Sequence, residues 1–108
     1  MSEININDIR SMCRKEAVNW TAHVLKRLLK RNISENDVLS AVMSEESEII
    51  EQYPNAFPYP GCLILGLGLD NRSIHIVCGL CKNAVHFITT YEPDKDRWSD
   101  DFKTRKES

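Results

Sequence analysis

The chain reads as one α+β domain in which two N-terminal helices pack on a four-stranded, mainly antiparallel sheet. Two observations predict this. Apolar residues recur at helical spacing up to about position 44, and beyond it they alternate with period two. Helices first and strands after point to helices gathered on one face of a sheet whose strands follow one another through short links.

The first helix is expected over about 8–31, with Ile9, Met12, Cys13, Ala17, Trp20, Val24, Leu25, Leu28 and Leu29 at helical intervals. Asn32 stands where a left-handed C-terminal cap belongs. The second helix is expected over about 35–44. Ser34 and Asp37 have the spacing of a capping box, and Glu35 and Asp37 suit the positive end of the helix dipole. Val38, Leu39, Val42 and Met43 supply its apolar face.

The sheet is expected over about 48–91. Its strands are Glu48 to Tyr53, Cys62 to Gly66, Ser73 to Leu80 and Val85 to Tyr91. Pro54, Pro58 and Pro60 make the first connection irregular. Asp70–Asn71 and Lys82–Asn83 read as turns, with Asn83 supplying a positive φ. A charged tail over 93–108 follows, with Trp98 and Phe102 as its anchors. The expected core comprises Trp20, Val24, Leu28, Val38, Leu39, Val42, Ile64, Ile76 and Ile88.

With 108 residues, 42% hydrophobic and 28% charged, the chain is the size and composition of a single globular domain over 1–108. No apolar run approaches a bilayer span, and the start MSEININDIR lacks the features of a signal peptide. The expectation is a cytoplasmic protein without membrane contact, its four cysteines remaining thiols. Cys78 and Cys81 have C-x-x-C spacing, but a zinc site needs a second close pair. Neither metal nor cofactor is expected.

The net charge of −2 conceals an asymmetry. Seven bases and one acid lie between Arg10 and Arg31, and seven acids with no base lie between Asn32 and Asp70. Two oppositely charged helices on a solvated surface account for this. So does a basic patch that attracts phosphate polymers or an acidic partner.

Within the basic segment, His23, Arg27 and Arg31 are spaced four apart and form one helical stripe, flanked by Lys26 and Lys30. Arginines hold a phosphate through paired hydrogen bonds, and histidine moves a proton near neutral pH. The bland account is a solvated face of cations near a helix C-terminus. His75 in the third strand and His86 in the fourth fit the sheet as ordinary strand residues. By alternation His75 shares a face with Val77, and His86 with Ile88 and Thr90. The same alternation sets Tyr91 on the face of Val85, Phe87 and Thr89, where it closes a core edge, donates a proton or stacks on a base.

Several segments also recur in order as a family pattern. They are His23-x-x-x-Arg27-x-x-x-Arg31-x-Ile33-Ser34, Glu48-Ile-Ile-Glu-x-Tyr53-Pro54 and Cys62-Leu-Ile-Leu-Gly66. Then come Ile74-His75-Ile-Val-Cys78, Ile88-Thr-Thr-Tyr91-Glu-Pro93-Asp94, Arg97-Trp98 and Asp101-Phe102-Lys-x-Arg105-Lys106. From roughly Ala22 to Lys106 the chain resembles domain-of-unknown-function family 4258. Asn32 stands where many members have Gly, a mild change at a cap.

The resemblance implies a RelE-like or barnase–colicin-like fold and an endoribonuclease acting as the toxin of a bacterial toxin–antitoxin pair. It also implies an antitoxin partner with a zinc finger, similar to that of the MqsR toxin. On that reading RNA is cleaved without metal, with His23 as base or acid. Arg27 and Arg31 hold the phosphate, and His75 or Tyr91 is the second proton-transfer group. The other class is a non-catalytic module that uses the same stripe to bind RNA or an acidic protein.

Overall fold

A computed structural model describes residues 3–106. It is α+β, with three helices and a five-stranded mixed sheet. The elements are α1 (Ile6–Arg14), β1 (Val18–Trp20), α2 (Ala22–Arg31), α3 (Glu35–Met43), β2 (Glu48–Tyr53), β3 (Gly61–Leu67), β4 (Ser73–Leu80) and β5 (Val85–Tyr91). The strand order is β1-β5-β4-β3-β2. β1 runs parallel to β5, and the remaining pairs are antiparallel.

The expected helix over 8–31 is therefore two helices with a strand between them. Helix α1 ends when Glu16 takes a left-handed φ of 60°. Glu16 N–H then bonds the Cys13 carbonyl at 3.1 Å, and Ala17 N–H bonds that of Met12 at 2.8 Å. This double closure is a Schellman motif. Val18-Asn19-Trp20 pairs in register with Val85-His86-Phe87, where a β-branched and an aromatic residue are at home. Trp20 meets Phe87 at 4.9 Å between ring centroids. Thr21 restarts the helix: its hydroxyl accepts from Val24 N–H at 3.1 Å and donates to the Phe87 carbonyl at 2.8 Å.

The later elements follow the expected pattern closely. Asn32 is left-handed at φ 55°, and Ile33 N–H bonds the Leu28 carbonyl at 3.1 Å. The Ser34–Asp37 capping box is complete. Asp37 also accepts from Leu69 N–H at 3.0 Å and from Arg72 at 3.0 Å. Burial alone would raise the Asp37 carboxyl, but the bonds from Ser34, Leu69 and Arg72 outweigh it and bring the pKa down to about 2. Asn71 has φ 63°, as a turn asparagine can. Asn83 is not among the positive-φ residues; its turn closes through Cys81 N–H on the Ala84 carbonyl at 3.0 Å.

The helices cover one sheet face. Ile9, Val24, Leu28, Ile33, Val38, Ala41 and Val42 pack on Cys62, Ile64, Ile74, Ile76, Cys78, Val85 and Phe87. At Gly66 a Cβ would collide with the Ala41 carbonyl oxygen, so the close approach of α3 to β3 requires glycine there. Trp20 and Leu39 sit half-buried at the margin of this core. Ile88 does not join it and is 41% exposed. Ile88 directly follows the core residue Phe87 and so points to the opposite face; it is the extra residue of a bulge in β5, where Val77 pairs with Thr89 but Cys78 with Phe87.

The opposite face is covered by the C-terminal segment. Leu63 and His75 are fully buried there, and Trp98 is 4% exposed. Arg105 clamps Glu51 through two bonds, of 2.8 and 3.0 Å, and stacks on the Trp98 ring at 4.7 Å. Lys103 reaches Glu48 at 2.7 Å. Trp98 is thus an anchor, as expected, whereas Phe102 contributes through its backbone carbonyl.

Candidate functional site

The β5 bulge decides which side chains meet. Simple alternation sets Tyr91 with Val85 and Phe87 under the helices. With one extra residue in the strand, Thr90 turns into that core and donates to the His75 carbonyl at 2.9 Å. Tyr91 turns to the other face, opposite His75 in the ladder. The rings meet edge-on at 5.3 Å, and Tyr91 Oη lies 3.4 Å from His75 Nδ1, a long contact.

The protonation of His75 follows from its second nitrogen. Nε2 lies 2.8 Å from the Phe102 carbonyl, which only accepts, so Nε2 carries the proton. Nδ1 is then the acceptor facing the Tyr91 hydroxyl. Burial lowers the His75 pKa, against the opposing pull of the Phe102 carbonyl, and Trp98 closes over the ring at 4.4 Å. Burial also raises Tyr91, so the phenol keeps its proton at neutral pH.

Arg31 brings the cationic stripe to this pair. It is the last residue of α2, where its charge complements the helix C-terminus. Its Nη1 donates to the Thr90 carbonyl at 3.1 Å, and its guanidinium stands 5.8 Å from the Tyr91 ring centroid. A cleft of about 540 Å³ opens here, lined by Arg31, Tyr91, Glu92, Asp94, Arg97, Trp98 and Arg105. Three guanidinium groups, one phenol and two carboxylates therefore share one concavity. The arrangement can hold an oxyanion, stack a planar ring and exchange protons.

Of the five expected site residues, the structure joins Arg31, Tyr91 and His75. His23 and Arg27 do not line the cleft. His23 is exposed, with its Nε2 3.4 Å from Arg27 Nε. Two helical turns, about 12 Å of rise, separate it from Arg31. Arg10, in the same basic segment, donates to the carbonyls of Val42 at 3.0 Å and Ser44 at 2.8 Å and so caps α3.

Arg97, Trp98 and Arg105 are cleft residues that the periodicity did not assign a site role, because the tail has no regular spacing. Their signal was an apolar ring flanked by cations in an otherwise charged segment. Among the described residues no helix is long and apolar enough to cross a membrane.

Residues 20–92 match the family described as domain of unknown function (DUF4258). No curated protein and no solved structure matches the chain. The matched segment carries α2, all of the sheet except its first strand's opening residues, and the Arg31–Tyr91–His75 grouping, and the chain belongs to that family.

Proposed function

We propose that the protein is a metal-independent endoribonuclease, the toxin of a bacterial toxin–antitoxin pair, and that the Arg31–Tyr91 cleft holds the scissile phosphate. The observation that carries this reading is the placement of a protonated Tyr91 between the Arg31 guanidinium and the His75 imidazole.

In the reaction a ribose 2′-hydroxyl attacks the adjacent phosphorus, the bond to the 5′-oxygen breaks and a 2′,3′-cyclic phosphate forms. Arg31 and Arg97 hold the non-bridging oxygens, where negative charge builds. The Tyr91 hydroxyl turns from its long 3.4 Å contact with His75 Nδ1 and gives its proton to the departing 5′-oxygen. Asp94, in the same cleft, receives the proton of the attacking hydroxyl. His75 does not touch RNA; neutral and wholly buried, it holds the Tyr91 hydroxyl in place. His23 and Arg27 continue the row of cations along α2 and bind the strand beyond the cleft. Their place outside the cleft moves His23 from proton transfer, its expected role, to strand binding.

One observation favours a second reading, the non-catalytic RNA- or protein-binding module. Both nitrogens of His75 face partners inside the fold, so no histidine reaches the cleft. Induced expression separates the two. The nuclease reading expects growth arrest and RNA loss that Tyr91→Phe relieves, with His23→Ala relieving them only in part. An adjacent gene for a zinc-finger antitoxin should restore growth. Harmless expression with intact RNA leaves the binding module.

A further inference from the structure

A second constellation of reactive groups lies at the other end of β5, away from the cleft. The Cys81 Sγ stands 3.5 Å from His86 Nε2. The other nitrogen of that ring, Nδ1, lies 2.9 Å from the Asn19 side-chain nitrogen Nδ2. Tyr59 stacks on the imidazole face, with ring centroids 4.7 Å apart and planes within 8°. Four separate pieces of chain converge to build this group. Asn19 comes from β1, whose parallel register places it opposite His86. Cys81 sits at the base of the β4–β5 hairpin, and Tyr59 comes from the β2–β3 connection.

The order of contacts is thiol, imidazole, amide. A thiol is weakly nucleophilic until a base takes its proton. Here His86 Nε2 is within reach of the thiol. The Asn19 amide can turn its oxygen toward Nδ1–H, because the two ends of an amide have the same shape. With the oxygen turned that way, the bond fixes the ring orientation and leaves Nε2 as the acceptor facing the thiol. Stacking on Tyr59 restrains the ring further. Cys81 and His86 are both partly exposed, so a small reagent can reach the sulfur.

The other cysteines lack this environment. Cys62 and Cys78 face each other at 3.6 Å inside the core. Cys13 is partly exposed, and burial raises its pKa. Cys78 and Cys81 thus turn to different partners despite their C-x-x-C spacing.

We infer that Cys81, His86 and Asn19 form a reactive-thiol site at which Cys81 is oxidised by a hydroperoxide. The Cys81 proton passes to His86 Nε2. The thiolate attacks one oxygen of the peroxide, the O–O bond breaks and an S–O bond forms. The departing oxygen takes the proton from the imidazolium. With hydrogen peroxide, thiol plus peroxide gives sulfenic acid plus water; the sulfur is oxidised by two electrons and the peroxide is reduced by two. Cys81 and His86 are the reacting groups, and Asn19 is a positioning residue.

The test treats the whole protein with low hydrogen peroxide, traps sulfenic acid with dimedone and reads each cysteine by peptide mass spectrometry. Cys13 is the internal standard. Cys81 should be trapped at least about tenfold faster than Cys13. His86→Phe keeps the stacked ring but has no proton acceptor, and should bring Cys81 down to the rate of Cys13. Asn19→Ala should slow Cys81, while Asn19→Asp, which retains an acceptor for Nδ1–H, should preserve the fast rate. Unlabelled Cys62 and Cys78 in each variant certify an intact core. A wild-type Cys81 no faster than Cys13, or a rate unmoved by His86→Phe with the core intact, overturns the inference.

Discussion

At the scale of single residues, His75 gives the stability of the fold a dependence on pH. His75 is neutral in the fold because burial lowers its pKa below the ordinary 6.5. The unfolded chain therefore takes up that proton more readily than the folded one. The stability that neutral His75 contributes is complete above pH 6.5 and is lost as pH falls from there toward the folded pKa. Urea titrations at pH 7.5 and 5.5 should show a drop in wild type that is smaller in His75→Gln. Arg31 gives a separate prediction. Arg31→Ala should weaken binding of single-stranded RNA and lower the slope of log affinity against log salt by roughly 0.7, the loss of one phosphate contact. An unchanged slope in Arg31→Ala would remove that residue from the phosphate.

At the scale of elements, two irregularities create the site, and neither has a regular period. Helix α2 begins at Thr21 because its hydroxyl caps Val24 N–H. Thr21→Ala should cost about 0.5–2 kcal/mol in urea unfolding, the usual worth of an N-cap. Gly66→Ala should cost about 1–3 kcal/mol or more, since its methyl collides with the Ala41 carbonyl and α3 must move away. Strands β2, β4 and β5, the capped start of α3 and the end of α2 at Asn32 were legible because alternation and capping are written locally. Strand β1 was hidden because Ala17, Trp20 and Val24 continue the helical spacing of α1, while the break rests on a left-handed Glu16. The side of Tyr91 was hidden too. A bulge adds a residue without a sequence mark, and each added residue reverses every side chain after it. Arg31 was readable as a cation at a helix end; its contact with Tyr91 depended on that bulge.

At the scale of the molecule, the sheet carries a core on each face, and the second is made by the tail. Helices protect one side, while Trp98, Arg105 and the Phe102 carbonyl close the other over His75. Trp98→Ala should cost about 3–5 kcal/mol, as loss of a buried tryptophan does, and should uncover His75. The tail also supplies two of the three cleft arginines, so the same segment that completes the fold completes the proposed phosphate site. The most direct measurement is incubation of purified protein with single-stranded RNA in chelator and reductant, comparing wild type with Tyr91→Phe and Arg31→Ala. The account expects wild type to release fragments ending in 2′,3′-cyclic phosphate and Tyr91→Phe to cut about 100-fold or more slowly, the usual worth of a general acid. Intact RNA with wild type, or equal cleavage by Tyr91→Phe, would contradict it.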